Sequence, residues 1–182
     1  PADCVKLAIT VLLEESPKLV ASGINMGGNL GICALYSGTV SAATEAMIMG
    51  VPSIAVSLNT YENPDFKPAA KFTRKFIPQL LEKGLPKGVV LNINVPSVPE
   101  SEFAGVAITR QGKSRVIEEF DCRKDPHGRT YYWLAGEMLF EETEEGADCV
   151  MIAKKYISVA PIHFDLTHYP SLNKLKDWKI EF

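Results

Sequence analysis

Val20-Ala21-Ser22-Gly23-Ile24-Asn25-Met26-Gly27-Gly28-Asn29-Leu30-Gly31, followed after four residues by Tyr36-Ser37-Gly38-Thr39-Val40-Ser41-Ala42-Ala43-Thr44, is the stretch that decides the fold. A short apolar strand at 19–21 runs into a loop where two carboxamides, Asn25 and Asn29, stand among Gly23, Gly27, Gly28 and Gly31. Glycine lets a backbone turn sharply and approach a ligand closely. Carboxamide oxygens are hard donors suited to Mg²⁺ or Mn²⁺. Ser37-Gly38-Thr39 then opens an Ala-rich helix, and the first N–H groups of a helix bind anions such as phosphate. A hard-metal donor beside a phosphate cradle points to phosphoryl chemistry.

Outward from this stretch, the periodicity predicts a helix over 2–15, with Asp3 as its cap and apolar residues at Val5, Ala8, Ile9, Leu12 and Leu13. It ends before Pro17, and a strand over 18–22 follows. A helix over 39–49 is closed by Gly50, and Pro52-Ser53-Ile54-Ala55-Val56-Ser57-Leu58 is a strand. Residues 66–83 carry Phe66, Ala69, Ala70, Phe72, Phe76, Leu80 and Leu81 at helical spacing up to Gly84. The strand Val89-Val90-Leu91-Asn92-Ile93-Asn94-Val95 is ended by Pro96. Alternation of helices with β-branched strands predicts an α/β, mainly parallel sheet with helices on both faces. After residue 97 strands dominate, at 106–110, 115–120, 130–134 and 156–162, before a terminal helix over 171–180. The expected organisation is a core over 1–97 and a β-rich extension with hairpins and a C-terminal arm over 98–182. The acidic run at 141–145 reads as a solvated loop.

The 182 residues carry a formal net charge of −3, which gives no electrostatic footprint for a nucleic-acid polymer. No apolar run is long enough to span a bilayer. Cys4, Cys33, Cys122 and Cys149 have neither metal-knuckle spacing nor a disulfide pattern, which suits free thiols in a reducing cytoplasm.

The bare residues leave alternatives open. Asn25 and Asn29 are either ligand groups or asparagines that hold left-handed turn positions. Ser37-Gly38-Thr39 is either a phosphate turn or an N-cap alone. His127, His163 and His168 lack a metal-like spacing, although Asp165 lies near two of them. Glu45, in the Ala-rich helix, either binds a partner or faces solvent. Metal-assisted phosphate hydrolysis uses carboxylates to hold the ion, and the seven aspartates here are scattered, none adjacent to another.

Taken in order, Pro1-Ala2-Asp3-Cys4-Val5, Ser22-Gly23-Ile24-Asn25 with Gly27 and Asn29, and Tyr36-Ser37-Gly38-Thr39-Val40 resemble the SurE (survival protein E) nucleotidases. So do Pro52-Ser53-Ile54-Ala55-Val56-Ser57, Leu91-Asn92-Ile93-Asn94-Val95-Pro96 and Tyr156-Ile157-Ser158-Val159-Ala160-Pro161-Ile162. The resemblance implies a Rossmann-like core and a cytoplasmic, divalent-metal-dependent 5′/3′-nucleotidase that hydrolyses nucleoside monophosphates, with shortening of polyphosphate in some members. It implies Asn25 as metal ligand, with Mg or Mn as the ion, and Asn29, Ser37, Gly38 and Thr39 as the phosphate-binding residues. It implies dimers or tetramers formed through C-terminal elements. The family's aspartate pair and a further serine ligand precede the Pro-Ala-Asp-Cys motif, so the chain is expected to be the portion after that pair, with the nucleophile unknown. The rival readings are a non-catalytic nucleotide-binding or oligomerisation fragment, and another doubly wound phosphotransferase or glycosyltransferase-like domain.

Overall fold

The computed structural model describes residues 1–139 and 144–180. The first three residues of the acidic run, 141–143, lie outside them.

Ala2–Leu7 forms α1, which continues as a π-helical stretch, Ala8–Leu12. Leu13 is already extended, so the helix is shorter than its apolar spacing predicts. Asp3 sits inside the first turn and makes no capping bond, which corrects its expected role. Then come β1 (Val20–Met26), a 3₁₀ segment (Gly31–Tyr36), α2 (Gly38–Ile48), β2 (Ser53–Asn59), α3 (Lys67–Lys83) and β3 (Val90–Pro96). The later chain supplies β4 (Gly105–Ile108), β5 (Arg115–Lys124), β6 (Thr130–Leu139), α4 (Asp148–Ala153), β7 (Tyr156–Ile162) and α5 (Tyr169–Lys176).

One five-stranded sheet has the order β1-β2-β3-β7-β4. β1, β2 and β3 run parallel, β7 is antiparallel to β3, and β4 is parallel to β7. β5 and β6 form a separate antiparallel ribbon. The late strands therefore divide: the ribbon is the expected hairpin, while β4 and β7 complete the main sheet. Neither α4 nor the antiparallel insertion of β7 is visible in the periodicity, because a six-residue helix is too short to show it.

Strand side chains alternate between faces, and here the alternation separates two chemistries. Ile54, Val56 and Leu58 of β2, Leu91, Ile93 and Val95 of β3, and Ile157 and Val159 of β7 form one cluster with Ala69 and Leu80 of α3. Phe72 and Phe76, stacked with ring centroids 5.5 Å apart, pack against it. Each fully buried aliphatic side chain here stabilises the fold by about 1.5–3 kcal/mol. The opposite face carries small and polar residues: Ser53, Ala55 and Ser57 on β2, and Asn92 and Asn94 beyond Val90 on β3, all buried. α2 covers part of that face through Val40, Ala43 and Met47, which pack on Ala55 and Val90. The Ser53 hydroxyl donates to the Ala43 carbonyl at 2.6 Å. Helices thus lie on both faces, and the polar face is the one that carries the site.

Candidate functional site

β1 runs further than its apolar residues suggest, through Ser22 and Asn25 to Met26. Its pairing with β2 shifts register between Ser22 and Asn25. Gly23 makes the shift possible. Its φ is +119°, and a Cβ there would lie 2.2 Å from the Val56 carbonyl oxygen. Asn25 is therefore not a loop residue: it pairs with Ser57 at the carboxyl end of an edge strand. Ligands of open α/β sheets bind beyond these strand ends. Among the described residues, only Asn63 and Lys155 have positive φ outside glycine. Asn25 and Asn29 hold no left-handed turn, and that alternative falls.

An open cavity of about 390 Å³ lies between the end of β1 and the start of α2. Asn25, Asn29, Ser37, Gly38 and Thr39 all line it, together with Ser22 and Pro1. Five residues singled out from sequence thus meet at one place.

Asn25 donates Nδ2 to the Gly27 carbonyl at 2.8 Å. That bond orients the amide, and its Oδ1 accepts no protein hydrogen bond among the described residues. At the other wall, the Ser37 hydroxyl caps α2 by accepting from the Val40 N–H at 3.1 Å. The Gly38 and Thr39 N–H groups, at the start of the helix, meet no protein acceptor among the described residues. Capping and anion binding are therefore compatible: Ser37 does the first and leaves two donors free for the second. Gly38 has an ordinary φ, and a Cβ there would meet Pro1 Cγ at 2.9 Å.

Asn29 is buried and held on every side. Its N–H donates to Asn94 Oδ1 at 2.8 Å, and its Nδ2 donates to the Ser57 hydroxyl at 2.7 Å. Its carbonyl accepts from Asn92 Nδ2 at 2.8 Å and from Asn94 Nδ2 at 3.3 Å. Asn92 Oδ1 is itself buried without a partner. Ser57, Asn92 and Asn94 thus form a polar seam under the cavity that sequence reasoning assigned to strands and gave no role. The available signal was two asparagines in register inside an otherwise β-branched strand, where an apolar residue would cost less.

Asp148 was missed as well. It starts α4, is fully buried, and accepts N–H bonds from Gly31, Gly112 and Cys149. Burial pushes its carboxyl above the ordinary value, while the three N–H bonds pull the other way.

The histidines do not join the cavity. His127 sits in the β5–β6 turn, His163 Nδ1 accepts from the Asp165 N–H, and His168 Nδ1 bonds the Ser171 hydroxyl. The Asp165 carboxylate accepts from the Thr167 N–H and the Tyr169 hydroxyl, and from no histidine ring among the described residues. Glu45 pairs with Lys6 of α1 at 3.5 Å. Cys4, Cys122 and Cys149 are free thiols. No three His, Cys, Asp or Glu side chains gather into a metal-binding group among the described residues. The side chains lining the cavity are neutral, and Asn25 Oδ1 is a hard oxygen donor with no protein partner among the described residues. The residues present accordingly fit as part of a divalent-metal site and do not complete one.

Comparison with known proteins shows the family. The model of the Survival protein SurE family matches residues 1–118. The 5′-nucleotidase SurE of Syntrophobacter fumaroxidans is 46% identical over 180 residues, covering 99% of this chain and 72% of the relative. That of Carboxydothermus hydrogenoformans is 50% identical over 180 residues, covering 98% and 68%. The crystal structure of the SurE protein from Aquifex aeolicus superposes with a TM-score of 0.81 at 43% identity, covering 97% of this chain and 71% of that one. With nearly every residue aligned at close to half identity, and the family model matching well over half of its length, this chain belongs to the SurE family.

Proposed function

We propose that the chain carries the phosphate-binding part of a divalent-metal-dependent 5′-nucleotidase, which hydrolyses nucleoside monophosphates to nucleoside and phosphate. One observation carries this reading: Asn25 Oδ1, Asn29 and the unpartnered N–H groups of Gly38 and Thr39 line a single cavity at the end of a parallel strand. The names of the relatives support the same activity.

In this reading the phosphate dianion sits on the Gly38 and Thr39 N–H groups, where the helix dipole adds favourable potential of roughly 0.3–2 kcal/mol. Asn29, fixed by the seam beneath it, orients one phosphoryl oxygen. Donors fixed before the substrate arrives need no reorganisation as charge develops on the phosphoryl group. Asn25 Oδ1 offers one ligand to Mg²⁺ or Mn²⁺, and such an ion, when bound, polarises the phosphate and lowers the pKa of attached water. The 182 residues contain no adjacent aspartates, so the nucleophile and the anionic metal ligands are not assigned within them. A 3′-nucleotide or the end of a polyphosphate presents a terminal phosphate to the same donors, and both belong to the proposal.

Self-association through the C-terminal arm also belongs to it. Phe164, Leu166, Leu172, Leu175 and Trp178 are exposed, and apolar surface of this kind marks interaction sites. Among the described residues no helix is long and apolar enough to cross a membrane, and the thiols of Cys4, Cys122 and Cys149 suit the cytoplasm.

The test is release of phosphate from AMP with Mg²⁺ or Mn²⁺ and with EDTA. It uses this chain and, where the protein is expressed with residues upstream of Pro1, that form as well. Metal-dependent release supports the reading. Absence of both AMP hydrolysis and phosphate binding would leave the non-catalytic fragment as the better account.

A further inference from the structure

The loop that carries Asn29 is tied at its far end to a distant part of the chain. Gly31, two residues on, donates its N–H to Asp148 Oδ2 at 2.9 Å, and its carbonyl accepts from Gln111 Nε2 at 2.8 Å. Ile32 N–H donates to the Ser114 carbonyl at 3.0 Å. Asp148 Oδ1 takes the N–H groups of Gly112 at 2.9 Å and Cys149 at 2.8 Å. One carboxylate therefore joins the loop after β1, the segment before β5 and the start of α4.

The backbone at Gly31 has been shaped around this junction. Its φ is +53°, and a Cβ there would lie 2.3 Å from the Ser114 hydroxyl. Asp148 has no exposed surface, although buried carboxylates are expensive and an apolar side chain of similar size would often pack at lower cost. Only an acceptor with two oxygens and no hydrogen can satisfy three converging N–H groups at once.

We propose that Asp148 is a positioning residue for the phosphate cavity: by fixing the Gly31 peptide it sets the backbone from which Asn29 meets the phosphoryl group. The proposal rests on the reading of the cavity as a phosphate site. The seam of Asn92 and Asn94 holds Asn29 from below, and Asp148 with Gln111 holds the chain immediately after it.

The variant that separates positioning from simple support of α4 is Asp148→Asn. Asparagine has the same shape as aspartate, and its one oxygen can keep the Gly112 and Cys149 bonds. Its NH₂ then faces the Gly31 N–H, donor against donor, and only the loop is released. Three readouts apply: amide hydrogen exchange at Gly31 and Asn29, the dissociation constant for inorganic phosphate, and the same constant in Asn29→Ala and in the double variant. Asp148→Asn is expected to raise exchange at both amides and to weaken phosphate binding about tenfold, the scale of a lost hydrogen bond to a charged group. The double variant is expected to bind no more weakly than Asn29→Ala alone, because Asp148 acts through Asn29.

Unchanged phosphate binding in Asp148→Asn, or a loss that adds fully to that of Asn29→Ala, overturns the proposal. If the parent binds no phosphate, the phosphate reading fails by itself. Exchange then decides the clamp, and an unaltered Asn29 amide overturns it. If Asp148→Asn does not fold, Gln111→Ala removes only the bond to the Gly31 carbonyl and must give smaller changes in the same direction. An unaltered Asn29 amide in that variant overturns the proposal equally.

Discussion

Asn25 has one half of its amide fixed by the Gly27 carbonyl and the other half open to the cavity. Asn25→Ala removes both. It should lower turnover of AMP at least tenfold and raise the metal concentration needed for half-maximal rate. Loss of the Gly27 bond should cost about 1 kcal/mol of stability, measured by urea unfolding. Unaltered metal dependence in a folded variant would show that Asn25 is not a ligand. At the same scale Asp165 carries a pH signature. Bonds from Thr167 and from the Tyr169 hydroxyl hold its carboxyl down at about 2, below the ordinary 3.8. A lowered folded value means that the carboxylate's contribution is present above the ordinary value and is lost as pH falls through about 2. The Thr167 amide, bonded to Asp165 at 2.9 Å, should stay protected from hydrogen exchange near pH 5 and lose that protection as pH falls through about 2. Asp165→Asn should remove the pH dependence, and an unchanged profile in that variant would assign the transition to another group.

The start of α2 joins two functions that substitution can separate. Ser37→Ala removes the cap on Val40 and should cost about 0.5–2 kcal/mol of stability, with little change in phosphate affinity, since the Gly38 and Thr39 donors survive. Thr39→Pro removes one of those donors, and proline is tolerated in the first helical turn. It should weaken inorganic-phosphate inhibition about tenfold while the circular dichroism of the helix persists. If the two variants behave alike, this turn is a cap and nothing more. Much of the element pattern was legible because each buried strand of the core is apolar and β-branched on at least one face, and α3 has a clear stripe. Asn25 and Asn29 could be read as site residues only with the ordered motifs behind them. Three features escaped for physical reasons. The extension of β1 through Gly23 and Asn25 depends on a register shift that only pairing with β2 reveals. The antiparallel place of β7 is a tertiary choice that its apolar residues do not encode. Asp148 joins Gly31 and Gly112 through bonds to backbone, which carry no residue-type signal at the partner positions.

At the scale of the whole molecule, the sheet divides its labour by face, with aliphatic packing against α3 and a polar seam beneath the cavity. The ribbon of β5 and β6 and the C-terminal arm stand apart from both, with Phe120, Tyr132, Trp133, Phe164, Leu166 and Trp178 all more than half exposed. Deleting residues 170–182 should shift the protein to smaller species in light scattering, and an unchanged mass would remove the arm from the interface. The central claim is narrower, that one cavity at the end of β1 and the start of α2 binds the phosphoryl group. The most direct measurement is a titration of the ¹⁵N-labelled chain with inorganic phosphate, followed by amide chemical shifts. The account predicts saturable shifts centred on the Gly38 and Thr39 backbone amides and the Asn29 side chain, with the β5–β6 ribbon and α5 unmoved. Saturable shifts that leave Gly38 and Thr39 in place and appear elsewhere would contradict it.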